Sequence, residues 1–224
     1  MTFSLVGRCA RTGMLGVAVT SSSPAVAARC AWARAGVGAV ATQNVTDPSL
    51  APRLLDLMQR GRPAAAALDE VAATAPHIEY RQLAVVDARG RTASYSGART
   101  LGRHASSAGT GCLAAGNLLA GEVVTAAMVQ AFERRPGDHL AGRLLDALRA
   151  GEAAGGEEGP VRSSGLLIVD RVAWPVTDLR ADWHDDPVAE LARLWAVWRP
   201  QEADYVLRAL DPTAAPSYGV PGDE

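Results

Sequence analysis

The order of the hydrophobic patterns constrains this chain most. Period-two runs come in groups, and the helical patterns between them come in pairs. "TFSLVGR" alternates from Thr2, and after the turn signal "RTG" a second apolar run follows in "MLGVAVTSS". Together they predict a hairpin at the start of the chain. "AGVGAVATQ" is a third strand, with glycines that let backbones approach closely. Two helices come next. Asp47 and Pro48 supply an N-cap and a first-turn proline, Leu50, Leu54, Leu57 and Met58 keep helical spacing, and Gly61 ends the run. Pro63 opens the second helix, which passes Ala67 and Val71 toward Pro76. "RQLAVVDARGRTASYSG" reads as a hairpin turning at Asp87 to Arg91, and "HASSAGTGCLAAGN" as a strand rich in Gly and Ser. A second helix pair is marked by Val123, Ala127 and Phe132, then by Leu140, Leu144, Leu145 and Leu148. "GLLIVD" is a buried strand, and Val188, Leu191, Leu194, Trp195 and Trp198 form one helical stripe that reads as core. There is no regular βαβ alternation, which disfavours a doubly wound parallel sheet. The order predicts an α+β fold, a four-layer αββα sandwich with two sheets face to face and helices on both outer faces.

The 224 residues suffice for one sizeable domain. Residues 1–199 are assigned to it. Residues 200–224, with Pro212, Pro216 and Pro221, read as a partly disordered C-terminal extension. A net charge of -2 leaves no electrostatic footprint for nucleic acid. No run approaches the ~20 apolar residues of a membrane helix. Arg8 and Arg11 interrupt any signal-peptide layout. The expectation is a cytoplasmic protein that binds neither nucleic acid nor membrane.

Cys9, Cys30 and Cys112 are widely spaced and read as small buried hydrophobes. The histidines show no metal-ligand spacing, so neither metal nor cofactor is expected. In "RADWHDDPVAEL", His184 with Asp182, Asp185 and Asp186 offers ligand atoms, but Asp185 or Asp186 before Pro187 reads first as a helix cap. The chain has no lysine. That excludes Schiff-base and pyridoxal chemistry and a Walker A loop.

Thr2 is the sharpest feature. Once Met1 is removed, one residue carries both a hydroxyl nucleophile and a free α-amine. A Thr hydroxyl needs a base at neutral pH. An α-amine with a reference pKa of about 7.7–8.0 is well matched to that task. A strand starting at Phe3 would hold the terminus at a sheet end, and Ser21, Ser22 and Ser23 at the end of the second strand would place hydroxyls beside it. In "GNLLAG", Asn117 follows Gly116 between a strand and a helix. Its amide N–H suits an oxyanion donor, although Gly-Asn is also a plain turn pair. "EAAGGEEGPVRSS" lacks dinucleotide-loop spacing and reads as a solvated or functional loop.

The stretches "MTFSLVGR", "GMLGVAVTSSS", "WARAGVGAVATQ", "RQLAVVDARGR", "GNLLAG", "EAAGGE" and "DDPVAEL" resemble, in order, a bacterial family of unknown function placed in the N-terminal nucleophile (Ntn) hydrolase superfamily. The resemblance runs from Thr2 to about Leu194. It implies the αββα fold and an amide-hydrolase ancestry with the nucleophile at Thr2, and it names no substrate; the expected activity is an amidohydrolase that cleaves a C–N amide bond of a small substrate. Thr2 and Asn117 are then the catalytic residues, with Ser21, Ser22, Ser23, Gln43, Gly116 and Glu157 binding substrate. It also implies a homodimer. The chain departs from the family pattern at Ser22 and Ser23, where members carry a lysine or bulky residue, and around Glu157 and Glu158. Those departures leave an alternative: a binding or structural module on a degenerate Ntn scaffold.

Overall fold

The structure is a computed structural model that describes residues 1–220. Pro221, counted above in the C-terminal extension, lies outside the described residues. Two antiparallel sheets make up the centre. The first has six strands in the order β10-β9-β2-β1-β8-β7. These are β1 (Thr2–Arg8), β2 (Leu15–Ser21), β7 (Ala105–Gly109), β8 (Cys112–Asn117), β9 (Ser163–Val169) and β10 (Thr177–Ala181). The second has four, β3 (Ala31–Arg34), β4 (Gly38–Asn44), β5 (Arg81–Asp87) and β6 (Thr92–Ser96), in sequence order. Helices α2 (Leu50–Gln59) and α3 (Ala64–Thr74) cover the outer face of the smaller sheet, and α4 (Val123–Glu133) and α5 (Leu140–Ala153) that of the larger. The fold is the four-layer αββα sandwich.

Strand alternation explains the layering. Phe3 and Leu5 of β1 face α4 and α5, where they join Met128, Phe132, Leu144 and Leu148. Val6 points the other way, into the space between the sheets. That space is filled largely by small residues, among them Ala39, Ala41, Ala84 and Ala115. Small side chains let the two sheets approach. Toward the start of β1 the inter-sheet positions turn polar: Ser4, Gln43, Gln82 and Asn117 are all buried. Buried polar groups need partners, so this end of the sandwich has to be a hydrogen-bonded network.

Several elements were not legible in the sequence. A five-residue helix α1 (Val26–Cys30) crosses from β2 to β3. "HASSAGTGCLAAGN" is a hairpin of two strands, β7 and β8, rather than one strand. Helix α2 starts two residues later than expected: Asp47 Oδ1 accepts from the Ser49 amide and hydroxyl, making a turn before the helix. Trp195 of α6 (Pro187–Trp198) is buried in the larger core, and Trp198 donates through Nε1 to Val176 O at 3.2 Å. Beyond residue 199 the chain forms α7 (Glu202–Leu210), whose Tyr205 stacks on Trp198 at 4.9 Å. All three cysteines are buried free thiols.

Candidate active site

Thr2 begins β1, a strand flanked on both sides. In register it faces Ser21 of β2 and Asn117 of β8. Directly opposed residues point to the same face of a sheet. Thr2, Ser21 and Asn117 therefore converge on the polar end of the inter-sheet space. Thr2 is 6% exposed. Its Oγ1 lies 3.1 Å from Ser21 Oγ. It donates to the Met1 carbonyl oxygen at 2.5 Å, and Ser21 Oγ donates to the same oxygen. Ser21 Oγ in turn accepts from the Ser23 amide at 3.1 Å.

Behind Thr2 the amides form a closed network. Ser4 Oγ donates to Gln43 Oε1 at 2.7 Å, and Gln43 Nε2 donates to Gln82 Oε1 at 2.8 Å. Asn117 Nδ2 donates to the same Gln82 oxygen at 3.1 Å. Gln82 Nε2 completes its valence on Gly116 O at 3.0 Å and Ser96 Oγ at 3.1 Å. Gln82 thus uses its full donor and acceptor capacity, which fixes its orientation. The oxygen that would be an acceptor for a substrate N–H is already occupied. The network holds Asn117 in place from below.

Gly116 has a steric reason. A Cβ there would come within 2.7 Å of Leu119 and 3.1 Å of Phe3. After Asn117 the chain turns sharply, with Leu118 at φ 50. The turn binds the loop that follows α5. Ala120 N donates to Gly156 O and Glu158 N to Leu118 O, both at 3.0 Å. This clamps Glu157 at the same sheet end. Glu157 is 5% exposed, and neither carboxylate oxygen has a hydrogen-bond partner. Burial pushes its carboxyl up to about 7, against the pull of the nearby amino terminus and Ser22.

The structure thus brings together Thr2, Ser21, Asn117 and Gly116, with Glu157 and Ser22 beside them. Gln43 lies deeper, fully buried in the supporting network. Ser23 sits at the edge, its carbonyl accepting from Ser163 Oγ at 2.5 Å. The metal ligands considered at "RADWHDDPVAEL" serve local structure instead. His184 Nδ1 accepts from the Asp186 amide, Asp186 caps α6 through the Ala189 amide, and Asp185 pairs with Arg162. Among the described residues no group of three or more His, Cys, Asp or Glu side chains comes together as a metal site.

A family model described as "Family of unknown function (DUF1028)" matches residues 2–191. The chain belongs to the DUF1028 family. A crystal structure of a DUF1028 protein from Silicibacter pomeroyi is 27% identical, with a TM-score of 0.83, and covers 91% of this chain and 89% of that one. A Gly-1 mutant of Anbu from Hyphomicrobium sp. strain MC1 is 12% identical at a TM-score of 0.38, covering 90% and 96%. Anbu, an ancestral beta-subunit, from Yersinia bercovieri is 10% identical at 0.39, covering 96% and 98%. At those scores the Anbu structures carry no argument about this chain. No match is found among curated proteins.

Two residues of this DUF1028 site were missed in the sequence, Ser4 and Gln82. Ser4 was findable in principle, because it lies two residues after Thr2 and so shares its face. Gln82 stands opposite Gln43 in the β4–β5 ladder, a pairing visible only once the register is known. Among the described residues, no helix of the DUF1028 chain is long and apolar enough to cross a membrane.

Proposed function

We propose that this chain is an amidohydrolase of the Ntn type, with Thr2 as nucleophile after loss of Met1 and a small-molecule amide as substrate. One observation carries the reading. The Thr2 hydroxyl lies at a sheet end, 3.1 Å from the Ser21 hydroxyl and directly opposite Asn117, in front of an amide network centred on Gln82. The αββα layering and the likeness in sequence to an Ntn family support it.

The chemistry follows from the groups present. Thr2 Oγ1 forms a bond to the amide carbon while its proton passes to the free α-amine of the same residue. The oxyanion receives a hydrogen bond from Ser21 Oγ, with Asn117 close behind. The C–N bond breaks as the Thr2 ammonium returns its proton to the leaving nitrogen. Water then attacks the ester carbon, losing a proton to the α-amine. The acid departs and Oγ1 recovers its proton.

A second reading, a binding module without chemistry, has one observation in its favour. With Met1 in place, both hydroxyls bond the Met1 carbonyl, and the Thr2 nitrogen is a peptide nitrogen with no basicity. Intact mass spectrometry of protein from its native host separates the two. A mass lacking Met1 supports the hydrolase. A retained Met1 supports the module.

A further inference from the structure

We propose, resting on the amidase reading above, that the space filled by Met1 is an α-aminoacyl subsite: the substrate is the amide of an α-amino acid with a free amino group, which Glu157 reads. The first support is covalent geometry. The Met1 carbonyl carbon is joined to the Thr2 nitrogen, and Oγ1 is three bonds from that nitrogen. An acyl group carried on Oγ1 occupies much the same space as one carried on the nitrogen. Met1 is therefore an image of the acyl half of a substrate.

Each part of Met1 has a matching group. Its carbonyl oxygen takes hydrogen bonds from Thr2 Oγ1 and Ser21 Oγ. Its α-amino end is matched by Glu157, which the loop after α5 holds buried at the same sheet end. No ion pair within 4.0 Å closes between the Met1 ammonium and Glu157 among the described residues, and neither carboxylate oxygen has a hydrogen-bond partner. A buried carboxylate without partners is costly and calls for a ligand. Its side chain lies on Gly159, where a Cβ would come within 3.1 Å of Met1 Cε and 3.8 Å of Sδ. Glycine at that position leaves room for a flexible apolar side chain. The rival role for Glu157 is to hold the α-amine of Thr2 itself.

Calorimetry on Thr2→Ala protein with Met1 removed tests the subsite without turnover. L-methioninamide should bind about tenfold or more tightly than N-acetyl-L-methioninamide. Adding Glu157→Gln should abolish that difference. Adding Gly159→Val should weaken L-methioninamide but leave glycinamide unchanged. Equal affinity for the two methionine amides, no binding of either, or a preference that survives Glu157→Gln overturns the proposal. Turnover by the Thr2 protein is a separate question, asked with L-methionine p-nitroanilide and its N-acetyl derivative. Equal hydrolysis of both overturns the subsite and leaves the amidase standing. Selective binding without any hydrolysis leaves the subsite and removes the amidase.

Discussion

The side-chain amides of Gln43 and Gln82 face each other across β4 and β5, and Gln43 Nε2 donates to Gln82 Oε1 at 2.8 Å. Gln82 also receives Asn117 and donates to Gly116 O and Ser96 Oγ. Gln82→Leu keeps the volume but strands the buried amides of Gln43 and Asn117. Each stranded donor costs about 1–3 kcal/mol. A urea melt should therefore give a stability loss of roughly 2–6 kcal/mol. Ser4→Ala, which removes one end of the network, should cost less. A Gln82→Leu variant as stable as the parent would mean the network contributes nothing.

In the proposed mechanism Ser21 is the oxyanion donor, on the ground of its contact. Ser21 Oγ reaches the Met1 carbonyl oxygen, whereas the Asn117 amide is bonded to Gln82. Ser21→Ala should lower kcat/KM by about 10²–10³ with little change in stability. Asn117→Ala should have the larger effect on stability. Thr2→Ala should remove hydrolysis, and Thr2→Ser should keep part of it. If Ser21→Ala leaves the rate unchanged while Asn117→Ala removes it, the assignment is reversed.

Glu157 makes stability depend on pH. Its carboxyl is raised to about 7 by burial, so between its unfolded value and pH 7 the folded state holds more protons than the unfolded state. Folding is then favoured at low pH and loses that advantage as pH rises through 7. Glu152, also raised to about 7 by burial and then by Asp186, adds in the same direction. Glu157→Gln should raise the melting temperature at pH 8 and change it little at pH 4.5. The opposite pattern would show that the carboxylate has found a cation in solution.

Gly165 of β9 is pressed against α1. A Cβ at that position would lie 2.2 Å from the Ala27 Cβ. Gly165→Ala must push α1 off the sheet, and overpacking of that kind costs about 1–3 kcal/mol. Ala27→Gly in the same chain should restore part of the loss, which thermal melts of the single and double variants would report. No recovery would place the strain elsewhere.

Local chemistry determined much of this protein. The alternation of Thr2, Phe3, Ser4, Leu5 and Val6 is enough to call β1 a strand with one apolar face. Leu50, Leu54, Leu57 and Met58 are enough for α2, and the turn at Asp87 to Arg91 is legible because Asp87 bonds the Arg89 and Arg91 amides within five residues. The convergence of Thr2 with the serines after it also follows from one hairpin, since Ser21 is reached by a short connection. What only the tertiary structure decided involves distant partners. Gln82 meets Gln43 and Asn117 across separations of 39 and 35 residues. The α1 helix and the β10 strand are too short, at five residues each, for periodicity to mark them. Glu157 looks like a solvated loop residue by composition. Its loop is clamped to the turn after Asn117, and that tertiary contact strips water from the carboxylate and raises its pKa.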